Sequence, residues 1–61
     1  MRAIDKFVIQ LQEEIGNQTV LLNTYVELRN WNGANNQKEY LKGLSSALIL
    51  AQAIAVMERE Q

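Results

Sequence analysis

GLSSALILAQAIAVM, Gly43 to Met57, decides how this chain folds. The stretch carries no charge. Wound as a helix it is apolar on nearly every side, a pattern that signals burial. Leu41, Leu44, Leu48, Ala51 and Ala55 recur at 3-4 spacing and form one stripe. Tyr40, Gly43, Ala47, Leu50, Ile54 and Met57 form a second stripe beside it. Each resembles a coiled-coil seam. One can face a neighbouring helix of the same chain; the other then needs a second neighbour. Ile49 and Val56 fall on a third face, beside Lys42, Ser45, Gln52 and Arg59. Small residues stand at every fourth position: Gly43, Ala47, Ala51 and Ala55. Steps of four drift by about 40° on a helix, so these four outline a slanted groove that another backbone can approach closely.

Upstream, Ile4, Val8, Leu11 and Ile15 recur at four, three and four, and Leu22, Tyr25 and Arg29 continue the phase. Gln18 alone interrupts this stripe, and Phe7, Leu21, Val26 and Leu28 widen it. Gly16-Asn17 is a plausible helix stop, since Gly commonly follows a helix C-terminus. The phase survives across it, which favours one helix over about residues 3–30 with a kink there, against a split into two. The spacing predicts a turn over 31–35, because Asn32-Gly33 tolerates positive φ. A second helix follows over about 36–59, capped by Asn36 with Glu39 three residues on, or by Asn35. A short connection makes two long helices antiparallel neighbours. The expected fold is all-α: a single helical-hairpin domain that self-associates into a four-helix or larger bundle.

Composition supports the assembly. Sixty-one residues form one small domain, and a domain of this size buries only about 60% of the surface its unfolded chain exposes. Small folds are usually reinforced by disulfides, a metal or partners. There is no Cys and no His, which excludes disulfides and the common zinc sites. Partners remain, and the oligomer interface is expected at Gly43, Ala47, Leu50, Ala51, Ile54, Ala55 and Met57. Proline is absent, which permits long helices.

Net charge is −1, from six basic and seven acidic residues that alternate along the chain. This argues against nonspecific nucleic-acid binding, which needs a concentrated cationic face. The N-terminal MRAIDKFVIQLQEEIG interleaves apolar and polar residues and does not read as a signal peptide. The uncharged run is shorter than the ~20 apolar residues that span a bilayer. Both readings, with the lack of Cys, point to a cytoplasmic protein and away from a membrane.

Catalysis has little to work with. Without His or Cys the usual general base and the best nucleophile are missing. Ser45-Ser46 with Lys42 one turn away reads as a polar strip, since nothing supplies an oxyanion hole. Glu13-Glu14 and Glu58/Glu60 do not converge on a metal, because adjacent helical residues point about 100° apart. No catalytic residue, metal site or cofactor is expected.

The turn is the more informative polar region. Asn30, Asn32, Asn35, Asn36 and Gln37 surround Trp31. Trp is enriched at binding hot spots, and equally it can fold back over the end of a hairpin core. Tyr25, Arg29, Lys38, Tyr40 and Lys42 flank the same end and could line an intersubunit pocket for an anionic nucleotide, or pair with neighbouring carboxylates such as Glu27 and Glu39. Tyr25, Arg29, Trp31, Asn32, Asn35, Lys38, Tyr40 and Lys42 are therefore the expected binding surface.

The stretch QKEYLKGLSSALILAQAIAVMERE resembles the C-terminal helix of many short phage and prophage open reading frames. Glu39, Tyr40, Gly43, Ala47-Leu48 and Glu58/Glu60 carry the likeness, over about two-fifths of the chain. The resemblance implies a small viral accessory protein that binds a host factor in order to block it. Helical anti-CBASS and anti-Thoeris sponges, which sequester cyclic or ADP-ribose-type nucleotide signals, are a related possibility, but their diagnostic motifs are absent. In length and architecture alone the chain is also similar to the plasmid RNA-binding protein Rop, a dimeric helical hairpin. The expected partners are thus a second copy of the chain and a host protein or a small nucleotide.

Overall fold

The computed structural model describes residues 2–60. Helix α1 runs Ala3–Glu27 and helix α2 runs Trp31–Arg59. They lie side by side, antiparallel, in a rod of 48 × 17 × 10 Å. The antiparallel sense follows from contacts that join Tyr25 to Gly33 at one end and Asp5 to Arg59 at the other.

Each helix faces the other with a heptad seam. On α1 it is Ile4, Val8, Leu11, Ile15, Gln18, Leu22 and Tyr25, of which Leu11 is buried and the rest half-buried. On α2 it is Ala34, Gln37, Leu41, Leu44, Leu48, Ala51 and Ala55, with both ends buried and the leucines half-buried. The strict 3-4 alternation on both sides is the pattern that keeps two helices in continuous contact. α1 passes Gly16-Asn17 as unbroken helix. The seam explains why: Ile15 and Gln18 both belong to it, so packing holds the helix through a weak residue.

The expected turn over 31–35 is corrected to Leu28-Arg29-Asn30, and α2 starts five residues earlier than the sequence suggested. The connection is a Schellman motif. Asn30 N–H donates to the Tyr25 carbonyl and Arg29 N–H to that of Val26, which satisfies two terminal carbonyls of α1. Arg29 takes the left-handed conformation this requires, with φ 56°. Asn30, in place of Asn35 or Asn36, caps α2: its Oδ1 accepts from Gly33 N–H at 3.0 Å. Gly33 therefore sits inside the first turn of α2, with negative φ. Its lack of a side chain matters for another reason. A Cβ there would lie 2.8 Å from the Tyr25 ring, so glycine lets that ring close the end of the seam.

One polar layer crosses the core. Gln37 is only 8% exposed, and its Nε2 donates to the Gln18 main-chain carbonyl at 2.9 Å and to Gln18 Oε1 at 2.8 Å. Gln18 Nε2 in turn donates to Glu14 Oε1 at 2.7 Å. The residue that interrupts the α1 stripe is matched by one that interrupts the α2 stripe. Buried amides paired in this way fix helix register.

At the open end, Arg59 donates to Asp5 Oδ1 at 2.8 Å, and Arg2 lies 3.5 Å from the other carboxylate oxygen. Arg2 also reaches the Ala55 carbonyl at 3.4 Å. The hydrogen bond from Arg59 is the largest influence on the Asp5 carboxyl and holds it below its ordinary value; desolvation opposes the shift, and the fields of Arg59 and Arg2 reinforce it.

Among the described residues, α2 is the one helix long and apolar enough to cross a membrane by length and composition. The uncharged Gly43–Met57 run is too short by itself to span a bilayer, but the helix that contains it has 29 residues.

Candidate interaction surface

The seam accounts for one side of each helix and leaves α2 with two further faces. The first holds Tyr40, Gly43, Ala47, Leu50, Ile54 and Met57, at the same 3-4 spacing as the inward seam. Leu50 is 66% and Met57 62% exposed; Tyr40 and Ile54 are about half exposed; Gly43 has nothing within 4 Å of where a Cβ would be. α2 is thus apolar along two adjacent stripes, and its own chain covers one.

Two of the seven expected interface residues move to the other stripe. Ala51 and Ala55 are each 3% exposed, closed over by α1 within the hairpin. Their small size serves the approach of α1, so the four-residue ladder of small side chains is divided between two contacts. Gly43, Ala47, Leu50, Ile54 and Met57 stay on the outward face, with only Ala47 half-buried.

Phe7 and Leu21 of α1 and Leu28 of the turn border this face, all exposed. From spacing alone they are expected, with Val26, to widen the inward stripe. Each lies one step outside it, on the side of the hairpin opposite the Asp5–Arg59 pair. Their shared heptad position, at separations of fourteen and seven with Glu14 between, is the signal that separates them from the seam.

The second free face of α2 carries Trp31, Asn35, Lys38 and Lys42 at four, three and four, then Ser45, Ile49, Gln52 and Val56. Trp31 is 59% exposed. It opens α2 and does not cover the core; Tyr25 and Gly33 occupy that position. Of the expected binding residues, Trp31, Asn35, Lys38 and Lys42 therefore share a face. Tyr40 is about 200° from Lys38 and from Lys42 around the helix and belongs to the apolar face. Tyr25 is half-buried in the seam, Arg29 is exposed in the turn, and Asn32 points between the two faces of α2. Within one chain the eight do not converge on a common pocket.

A shallow hollow of about 320 Å³ lies instead at the open end, lined by Val8, Gln52, Ala55, Val56 and Arg59. Its cationic group, Arg59, is engaged by Asp5. Ser45, Ser46 and Lys42, the strip considered for nucleophilic chemistry, stand exposed on the surface of α2.

Compared with known families, curated proteins and solved structures, the chain shows no match.

Proposed function

We propose that this chain is a non-catalytic binding protein that works as a self-associated helical bundle. The observation that carries the reading is the outward seam of α2: six positions in coiled-coil spacing, uncharged, and left open by the chain's own fold. The thinness of the hairpin supports it. Apart from Leu11, the seam leucines are only half-buried. The surface of 4663 Å² exceeds the roughly 4,000 Å² of a compact folded monomer of this mass. Exposed apolar patches of this extent mark interaction sites.

The likeness of the second helix to phage accessory proteins extends the reading to a viral protein, acting in the host cytoplasm, that inhibits or sequesters a host component. The face with Trp31, Asn35, Lys38 and Lys42 is the surface offered to that partner, since self-association through the apolar face leaves it outward. A nucleotide-signal sponge is the weaker form of the proposal, because Tyr40 stands apart from Lys38 and Lys42.

Light scattering on a size-exclusion column tests the first step: the expected mass is a multiple of 7.0 kDa, and a folded species of 7.0 kDa at all concentrations would remove the proposal. Capture of a host protein that is lost on Trp31→Ala, with helicity unchanged, tests the second. A melting-temperature rise with a cyclic or ADP-ribose-type nucleotide would instead favour the sponge.

A further inference from the structure

The geometry points to a specific occupant for the outward seam: the same seam of a second copy, running antiparallel, with a two-fold axis beside the Leu48–Ile49 peptide. The inference rests on the self-association proposed above and specifies its contact.

The seam matches itself in shape when it is reversed. Tyr40, Gly43, Ala47, Leu50, Ile54 and Met57 are placed symmetrically about Leu48–Ile49. Turning a second copy end for end about that point sets Tyr40 against Met57, Gly43 against Ile54, and Ala47 against Leu50. Every layer with a small residue then receives a large one, the alternation that fills an interface at native density. A parallel pair would oppose Gly43 to Gly43 and Leu50 to Leu50, with a void at one layer and crowding at the other. A slip of one heptad in the antiparallel pair would oppose Gly43 to Ala47 and bring Asn36 against Ile54. The open space over Gly43 is where the longer side chain enters.

Area and charge agree. Half-exposed side chains of this size leave roughly 100 Å² each uncovered. The seam together with bordering Phe7 and Leu21 therefore offers roughly 600–700 Å² per chain, so that two copies would bury about 1,200–1,400 Å², the lower part of the range for specific interfaces. No residue of the seam is charged, so like charges do not meet along it. Glu14, at its border, has Gln18 donating to its carboxylate. The corresponding positions of α1 include Gln10, Glu14, Asn17 and Thr24, so α2 carries the axis and α1 only flanks it.

Cysteine crosslinking decides the matter, and the chain has no cysteine to interfere. Both test positions are exposed in the hairpin. Equal amounts of Tyr40→Cys and Met57→Cys chains are mixed and oxidised. The expected product is the mixed disulfide, with crosslinking lost when Met57→Cys is oxidised alone, since two copies of position 57 would lie about 25 Å apart and a disulfide spans less than 7 Å between Cα atoms. Self-linked Met57→Cys as the main product would mean parallel pairing and overturn the inference. So would an oligomer by light scattering without the mixed product, which leaves the self-association itself standing. Leu50→Glu is expected to reduce the measured mass to that of a single chain with helicity retained. An unchanged oligomer in that variant would likewise place the contact elsewhere.

Discussion

One step outside the shared seam, α1 reads Phe7, Gln10, Glu14, Asn17, Leu21 and Thr24, with Leu28 following in the turn; α2 at the equivalent step reads Tyr40, Gly43, Ala47, Leu50, Ile54 and Met57. The inward stripes of the two helices are alike, each a run of apolar heptad positions broken by one glutamine. Only the outward stripes differ. The α1 side presents only Phe7, Leu21 and Leu28 as apolar residues, with the polar Gln10, Glu14, Asn17 and Thr24 between them, which water can cover. α2 presents no residue that water solvates well except the Tyr40 hydroxyl. An inward seam is enough to make a hairpin; a second seam on one helix alone makes a hairpin with a preferred side.

The largest effect is expected in the seam that the two helices share. Leu11 is the one large apolar side chain buried in the seam. Leu11→Ala is expected to cost about 2–5 kcal/mol, enough to unfold so small a domain, seen as loss of helical circular dichroism at 25 °C. Leu50→Ala, on the outward stripe, should leave the helices formed at low concentration and weaken only the association. Equal loss of helicity in both variants would erase the distinction between the stripes.

Gly33→Ala should destabilise by about 1–3 kcal/mol in urea unfolding, because the new methyl meets the Tyr25 ring in a packed corner. No loss of stability would mean the ring moves aside freely.

Gly16 and Gly43 sharpen the comparison, one on each helix and both open to solvent in the hairpin. Gly16→Ala is expected to gain about 0.5–1 kcal/mol at any concentration. Gly43→Ala should match it when dilute and fall behind when concentrated, as the methyl takes space from Ile54 of the second copy. Identical gains throughout would take Gly43 out of the contact.

The smallest effect is at the open end. The Asp5 carboxyl is held below its ordinary value by Arg59, so its pairing contributes stability above about pH 4 and loses it as pH falls through the lowered folded value. A slight drop in melting temperature on acidification, absent in Asp5→Asn, is the expected reading.

Much of the fold was legible in sequence, because heptad spacing reports directly which residues face a neighbour. That held for α1 from Ile4 to Tyr25 and for α2 from Leu41 to Ala55. The turn was not legible. Asn32-Gly33 has the composition of a chain reversal, yet the reversal is made by Arg29, a residue type with no preference for positive φ, and the glycine answers to a ring eight residues earlier. Composition registers a preference; here a tertiary contact overrode it. Gln37 was grouped with the turn for the same reason, although its spacing from Ala34 and Leu41 places it on the stripe. The second apolar stripe of α2 was legible in the spacing, but Ala51 and Ala55, grouped with it, lie in the contact with α1. Spacing alone says that Ala51 and Ala55 are small, and only the position of α1 says whose backbone their smallness admits.

The three-residue connection also sets an order of events. Contacts near the turn join residues close in sequence, as Tyr25 with Gly33, while the Arg59–Asp5 bond joins positions 54 apart. Closing the hairpin from its turn therefore costs little loop entropy at each step, and opening it from the free end reverses the path. Amide protection should accordingly form a gradient, slowest to exchange around Leu22 and Leu41 and fastest around Asp5 and Val56. Equal exchange rates at both ends would mean that the rod opens all at once.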